Sequence, residues 1–427
     1  RDDSFEQFIK IGDKKGIGNE IFEIYSNGLK TNMDAWSYNF SASAVGQNMS
    51  TLAANYNIEV ERYQNAGKGK KIENFVNNDP KHISWHSALY PKAERGLKAK
   101  FTPVNIVPSL YRPYSKQHAY FDRMFNQRVA MLPQIFPIET PYNRVISISG
   151  VGAKNFSAIL TDVMPCLDCM EQGQAFPLKV YEKSEPQKDS LFANDKGVND
   201  YRVKDGITDE GLAHFSAAYP GEEISKEDIF YYVYGVLHSE DYRARYADNL
   251  SKELPRIPCV KKAADFWAFS KAGRALGDLH VNYETVDPYP GTYKQGDLRT
   301  AVIDDAEAFY RVEKMKFGGK ASAKDKTTII YNPRITLQNI PLEAYDYVVN
   351  GKPAIEWVME RQCVKTDKAS GIVNDANRYA IETVGDPAYP LKLLERVITV
   401  SLETMKIVRA LPVLDIDVPE KDKVTKH

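Results

Sequence analysis

The sequence predicts an α+β fold, a mixed multi-domain fragment in which helices pack on short mixed or antiparallel sheets with long loops between them. Three observations lead to this prediction. The chain has 427 residues, which is long for one domain, so two or three are expected. Its 43% hydrophobic and 26% charged residues are typical of globular proteins. Segments with helical and with strand periodicity follow each other irregularly, separated by polar stretches.

The first part of the chain predicts one long helix among extended segments and loops. Residues 21–29 predict a strand that ends in an Asn-Gly turn. Apolar side chains recur at helical spacing through residues 41–63, which predicts a helix capped by Ser41 or Ser43. The basic stretch 65–71 is predicted to be a flexible loop.

The rest of the chain predicts strands and then helices. Strands are predicted at residues 143–150, 156–165, 175–183 and 326–331. Helices are predicted at residues 224–250, 258–277, 341–351, 354–364 and 391–408. The helix after residue 224 has the strongest signal, because Ser225 and Asp228 fit a capping box ahead of an apolar stripe. The acidic stretch 182–209 is predicted to be an exposed connection, and the last dozen residues to be frayed.

Composition and cysteine content exclude several classes of protein. No apolar run approaches the roughly 18 residues that a membrane helix needs, and no signal peptide is visible. Four cysteines are too few for a disulfide scaffold, so the cytoplasm is the expected location. Cys166 and Cys169 have a spacing that suits zinc or redox chemistry, but a zinc site needs two further ligands. We therefore predict no metal site.

Charge is close to balanced overall but unevenly distributed along the chain. The net charge of -1 gives no general attraction to nucleic acid. Basic residues nevertheless outnumber acidic ones by nine to three in residues 62–100 and by seven to two in residues 311–336. Such segments either form one basic face or cancel against acidic segments in space. The sequence leaves both arrangements open.

Motifs of self-sufficient catalysis are missing. The sequence contains no HExxH, no GxSxG and no GxxxxGK[ST] pattern. We therefore predict no catalytic residue and no complete active site in this chain. This favours a recognition or scaffolding module over a stand-alone enzyme.

Residues 111–128 interleave aromatic and cationic side chains. The aromatic side chains are predicted to be core, because duplex recognition does not need a stacking platform. The cations are predicted either to contact phosphates or to pair across a domain junction: Arg112, Lys116, Arg123 and Arg128.

Eight phrases, spread over nearly the whole chain, form a specific combination. They begin at Ile21 (IFEIYSNGLKTNMDAWSYNFS), Phe75 (FVNNDPKHISW), Leu110 (LYRPYSKQHAYFDRMFNQR), Asn143 (NRVISISGVGAKNFSAILTD), Asp228 (DIFYYVYGVLHSEDYRARYA), Leu276 (LGDLHVNYE), Ile340 (IPLEAYDYVVNGKPAIEWVMERQ) and Asp367 (DKASGIVNDANRY). In this order they resemble the C-terminal third of type ISP restriction–modification enzymes, whose homologues are often labelled predicted helicases.

The resemblance implies that the chain is a sequence-specific recognition module for duplex DNA. The family's full polypeptide combines a nuclease, a helicase-like ATPase, a coupling segment, an adenine-N6 methyltransferase and a target recognition domain. By resemblance, residues 1–138 join the methyltransferase region to the recognition domain, and residues 139–427 are that domain. The missing initiator Met agrees with a fragment. The expected partners are duplex DNA and the methyltransferase and motor domains of the same polypeptide, without a membrane.

The resemblance also sets expectations for cofactors and contacts. No cofactor is expected in this chain, whereas the parent enzyme is expected to use S-adenosylmethionine, ATP and magnesium. Base-reading and phosphate-binding side chains belong on polar loops held by a rigid scaffold. The candidates, besides the four cations of residues 111–128, are Lys68, Lys70, Lys71, Lys154, Lys316, Lys320, Lys324, Lys365, Lys368 and Asn374.

Two alternatives stay open at this point. Residues 367–377 could instead be a structural turn held by Asp and Ser hydrogen bonds. The chain as a whole could be a structural coupler that transmits recognition to the motor or methyltransferase without reading bases itself.

Overall fold

The computed structural model describes residues 2–14, 16, 18–66, 69–183 and 201–417. In chain order the strands are β1 Ile9–Lys10, β2 Ser26–Asn27, β3 Tyr38–Asn39, β4 Ile106–Arg112, β5 Ser115–Tyr120, β6 Tyr142–Ile148, β7 Ala158–Pro165, β8 Gln174–Pro177, β9 Lys179–Lys183, β10 Tyr201–Asp205, β11 Arg256–Ile257, β12 Thr292–Tyr293, β13 Lys316–Lys320, β14 Ala323–Ile330, β15 Thr336–Gln338, β16 Val348–Val349, β17 Lys352–Pro353, β18 Val364–Thr366 and β19 Val373–Asp375. The α-helices are α1 Asp34–Ser37, α2 Ala42–Ala66, α3 Ile72–Phe75, α4 Tyr90–Glu94, α5 Leu132–Ile135, α6 Asp209–Ala218, α7 Lys226–His238, α8 Glu240–Arg245, α9 Ala247–Leu250, α10 Ala263–Val281, α11 Ala306–Tyr310, α12 Ala354–Arg361, α13 Ala376–Tyr379 and α14 Tyr389–Arg409. The predicted α+β class is confirmed.

A seven-stranded sheet with the order β2-β8-β6-β7-β4-β5-β3 forms the centre of the molecule. Its neighbouring strands are antiparallel except for β4 and β7, which are parallel. The strands predicted at residues 143–150 and 156–165 are β6 and β7. Since β2 to β5 precede residue 138 and β6 to β8 follow it, residues on both sides of the predicted boundary build one sheet. The functional division at that boundary stays a prediction.

The central sheet lies between two hydrophobic cores. Successive side chains of a strand point to opposite faces, and β6 shows this directly. Val145 belongs to one core, whereas Ile146 and Ile148 belong to the other. Both faces of the sheet are therefore covered, which accounts for the nearly continuous apolar sequence of its central strands.

Helices α7 and α10 cross closely over one face of this sheet. Helix α7 begins at the predicted capping box, in which Ser225 and Asp228 exchange hydrogen bonds. Glycines allow the close crossing. A Cβ at Gly273 would lie 1.8 Å from the carbonyl oxygen of Tyr231, and a Cβ at Gly235 would lie 2.3 Å from a carbonyl oxygen of α10. The two helix backbones therefore touch without intervening side chains.

We expect Gly273→Ala to lower the free energy of unfolding by about 3 kcal/mol, because the added methyl group forces the two helix backbones apart. Gly46→Ala is the matched control. Gly46 lies inside α2, where a Cβ would be 3.5 Å from its nearest neighbour. That replacement should stabilise the chain by up to about 1 kcal/mol, since Ala favours helix. Urea denaturation measures both changes, and equal losses would contradict the close crossing.

The other face of the sheet supports the C-terminal part of the chain. A four-stranded sheet with the order β12-β15-β14-β13 shares its core with α12, α14 and the central sheet. The predicted helices at 354–364 and 391–408 are α12 and α14. This arrangement fixes β13, β14 and α12 on a rigid base.

A third core belongs to the helical N-terminal part. Helix α2 confirms the helix predicted at residues 41–63, and the Ser41 hydroxyl accepts a hydrogen bond from the Ala44 backbone N–H at 3.2 Å. Its apolar side chains pack against α3, α4 and the end of β5. Ile372, in the turn between β18 and β19, packs against the same core.

Three local predictions are wrong. Residues 341–351 do not form a helix, because a 3₁₀ turn at Leu342–Tyr345 leads into β16. The burial of Tyr345, Tyr347 and Val349 follows the period of a strand. The strand predicted at residues 21–29 is limited to β2. The predicted connection at residues 182–209 contains β10, which pairs with β9.

Some predictions fall outside the described residues. They concern residues 184–200 of the acidic connection and the tail from residue 418. Among the helices that the structure describes, none has the length and apolar character that a membrane crossing requires.

Candidate nucleic-acid interface

A cleft of about 810 Å³ opens beside the four-stranded sheet. The β13–β14 hairpin, helix α12 and the β18–β19 hairpin contribute most of its walls. Tyr111 and Gln117 of the central sheet also line it. Because it collects most of the lysines predicted in polar loops, we call it the basic cleft.

The β13–β14 hairpin projects from the core as a twisted ribbon. Its base is anchored by Phe317, whose ring centroid lies 5.9 Å from that of Tyr345. The pairing register shifts after Phe317, and such a bulge bends a strand. Gly319 has φ +76, and a Cβ there would lie 2.5 Å from a carbonyl oxygen of β14. The exposed tip therefore presents Lys320 and Lys324 to solvent.

The basic cleft carries an excess of positive charge. Three carboxylates line it, and each has a basic partner. Glu313 lies 2.8 Å from Arg311, and Glu356 lies 2.9 Å from Lys326. Glu360 pairs with two basic side chains of the cleft itself, Lys352 and Arg361. Five further lysines line the cleft and have no carboxylate partner within 4 Å among the residues that the structure describes: Lys314, Lys316, Lys320, Lys324 and Lys365.

The turn between β18 and β19 is the Asp and Ser turn that the sequence offered as an alternative. The Asp367 carboxylate accepts hydrogen bonds from the Ser370 N–H at 2.8 Å and from the Ser370 hydroxyl at 2.7 Å. These bonds lower the pKa of the Asp367 carboxyl. The turn holds Lys365 and Lys368 exposed, so a structural role for Asp367 is compatible with outward-facing lysines.

Asn374 lines the basic cleft but uses its amide inside the protein. Its oxygen accepts a hydrogen bond from the Phe40 N–H at 2.8 Å, and its nitrogen donates to Gln117 at 3.1 Å. Asn374 thus ties the β18–β19 hairpin to the central sheet. Its predicted DNA contact stays a prediction, and these two bonds would have to rearrange for it.

Two of the candidates in residues 111–128 pair within the molecule. Lys116 is 13% exposed, and its ammonium lies 2.8 Å from Glu284 and 3.7 Å from Asp162. Arg112 donates to the Tyr111 carbonyl oxygen at 2.7 Å and lies 4.1 Å from the Tyr111 ring centroid. These geometries match the predicted alternative of pairing across a junction.

The remaining candidates lie outside the cleft. Four are exposed on other parts of the surface: Lys70, Lys71, Arg123 and Arg128. Lys154 is exposed in the loop between β6 and β7, where its N–H donates to Glu171 at 3.0 Å. Lys68 lies outside the described residues. DNA contacts by all of these residues stay predictions.

Cys166 and Cys169 are buried beside the central sheet. Burial raises the pKa of the Cys166 thiol to about 11 and raises that of Cys169 as well. Both side chains therefore remain protonated thiols at neutral pH. In the described part of the chain, no group of three or more His, Cys, Asp or Glu side chains could hold a metal ion.

Sequence reasoning missed three cations of the basic cleft, namely Lys314, Lys352 and Arg361. Lys314 belongs to the basic stretch 311–336, whose charge count already indicated a basic face. Arg361 ends an amphipathic helix, where a cation is ordinary because it complements the helix dipole. Only the fold brings these residues to the same cleft.

Fold and cleft define the class: an α+β binding module that presents a basic concave surface. The chain belongs to the family of the Type ISP C-terminal specificity domain, whose model matches residues 20–393. No curated protein matches the chain.

Three solved structures resemble nearly the whole chain. A nuclease-deletion mutant of the Type ISP restriction–modification enzyme LlaGI, in complex with a DNA substrate mimic, shares 35% identity over 98% of this chain and 30% of its own, with a TM-score of 0.80. The ATP-dependent Type ISP enzyme LlaBIII bound to DNA shares 34% identity over 98% of this chain and 25% of its own, with a TM-score of 0.82. The DrdV–DNA complex shares 29% identity over 97% of this chain and 39% of its own, with a TM-score of 0.78. This chain therefore spans well under half of each of these proteins.

Proposed function

We propose that this chain binds duplex DNA in the basic cleft and recognises a target sequence for a Type ISP restriction–modification enzyme. One observation carries the proposal. Five lysines without carboxylate partners converge on the cleft from β13, β14, β18 and the segment before β13. Phosphates of DNA would supply the missing negative charge.

The shape of the cleft wall suits a duplex. The major groove of B-DNA is about 12 Å wide and admits a two-stranded β-ribbon. The β13–β14 ribbon has Lys320 and Lys324 at its exposed tip, where they can reach phosphates on either side of a groove. Phosphate contacts of this kind would fix the position of the duplex, and side chains deeper in the cleft would face the base edges.

Similarity to known complexes supports the same proposal. LlaGI and LlaBIII are described in complex with DNA, and each matches 98% of this chain. On this proposal, the nuclease, motor and methyltransferase domains lie elsewhere in the parent polypeptide, together with their ATP, S-adenosylmethionine and magnesium.

The double variant Lys320→Ala, Lys324→Ala tests whether the ribbon contacts DNA. Each phosphate contact contributes about -0.9 to the dependence of log affinity on log salt, so the slope should become shallower by about 1.8. The matched control is Lys262→Ala, Lys271→Ala, which removes two exposed lysines of the α10 region outside the cleft. Fluorescence anisotropy with a labelled duplex measures both slopes. An unchanged slope in the ribbon variant would remove the ribbon from the interface.

The same titration separates recognition from the structural-coupler alternative. A coupler that binds only protein should not retain duplex DNA at low salt. A recognition module should bind DNA at low salt and release it steeply as salt rises.

A further inference from the structure

Arg361 occupies an unusual position in the basic cleft. Among the described residues that line the cleft it is the arginine, whereas the other cations are lysines. Its side chain is 22% exposed, so it lies deeper than the lysines of the ribbon tip. The guanidinium lies 5.7 Å from the Trp357 ring centroid, and one of its terminal nitrogens is 2.9 Å from Glu360.

The contacts of Arg361 leave it available for a ligand. Its Nε–H is buried and has no hydrogen-bond partner. Its acidic partner, Glu360, also pairs with Lys352, whose ammonium lies 4.3 Å from the same Trp357 ring. If Arg361 turns toward a ligand, Glu360 therefore keeps a cation beside it. The turn would also give the unpaired Nε–H access to an acceptor.

We infer that Arg361 is a specificity-determining residue that reads a guanine through the major groove. This inference rests on the proposed function of the cleft. The planar guanidinium offers two parallel donors, and the major-groove edge of guanine offers two acceptors, O6 and N7. Phosphates engaged by the exposed lysines would stay at the mouth of the cleft. The recessed arginine would then meet a base edge.

The test compares the sequence preferences of the purified chain and of its variants. A randomised duplex pool is selected for binding, and the enriched sequences are counted. The unmodified chain should enrich a consensus that contains guanine. Arg361→Lys keeps the charge but loses the paired donors, so it should lose about tenfold to a hundredfold discrimination at one guanine position. Its salt slope on a fixed duplex should stay unchanged.

Arg378→Lys is the matched control, because it makes the same replacement at an arginine outside the cleft that pairs with Glu382 at 2.7 Å. It should leave the consensus intact. Thermal unfolding of both variants checks their folding. An intact guanine preference in Arg361→Lys and in Arg361→Ala would overturn the inference. A uniform loss of affinity for all sequences would overturn it too, because that result indicates a structural role. Absence of any consensus for the unmodified chain would instead overturn the proposed function.

Discussion

Between 50 mM and 200 mM salt, the affinity of the chain for duplex DNA should fall by about 500-fold. The expectation comes from the five lysines of the basic cleft that have no carboxylate partner among the described residues. If each neutralises one phosphate, the slope of log affinity against log salt is about -4.5. The acidic side chains of the cleft do not offset this, since each is already paired. Fluorescence anisotropy across a salt series measures the slope.

Replacing all five lysines by alanine should leave a slope close to zero. The variant should still fold, because these side chains are exposed. The control replaces five exposed lysines that do not line the cleft: Lys252, Lys262, Lys271, Lys294 and Lys406. It should keep most of the slope. A control that loses as much of the slope as the cleft variant would show that binding is spread over the surface, contrary to the proposed site.

The sequence predicted those elements that carry their own periodic signal. Strands β6 and β7 and helices α2, α7, α12 and α14 are long enough for apolar periodicity to show. Strands β2 and β3 have two residues each, and only their partners in the sheet make them strands. The error at residues 341–351 has a different cause. There, Pro341 and Gly351 match helix boundaries, but the buried tyrosines follow a strand period.

The site was predictable to the extent that its residues lie in polar, glycine-bearing segments. Lys316, Lys320 and Lys324 were found in this way. Lys116 could not be judged from its neighbours, because its partner Glu284 is 168 residues away in the chain. The charge balance of the cleft likewise depends on ion pairs that only the fold creates. Local sequence therefore predicts which lysines are exposed, but it does not predict which cations are already neutralised.

Lowering the pH from 6.5 to 3 should reduce the free energy of unfolding by about 4 kcal/mol through His280 alone. Burial, together with the nearby Arg243 guanidinium, lowers the pKa of His280 to about 3. Its Nδ1 lies 2.6 Å from the Tyr234 hydroxyl and its Nε2 lies 2.8 Å from the Thr404 hydroxyl. The Tyr234 oxygen already accepts a hydrogen bond from the Leu160 N–H. Its own proton can therefore point to Nδ1, which leaves the imidazole neutral with its proton on Nε2.

The sign of the effect follows from proton uptake. The unfolded chain protonates this histidine as the pH falls through about 6.5, whereas the folded chain does so only near pH 3. Stability is therefore complete above pH 6.5 and declines down to about pH 3. Burial lowers the pKa of His238 as well, so a second histidine acts in the same direction.

Urea denaturation over a pH series, with His280→Gln beside the unmodified chain, isolates this contribution. The variant should be less stable at neutral pH, because it loses the fitted ring, but its free energy of unfolding should fall by about 4 kcal/mol less between pH 6.5 and 3. His82→Gln is the control, since the His82 side chain is 63% exposed and has a similar environment in both states. Parallel curves for the unmodified chain and His280→Gln would mean that the buried imidazole takes up its proton without unfolding the chain. In that case the Tyr234 and Thr404 contacts would not hold it neutral.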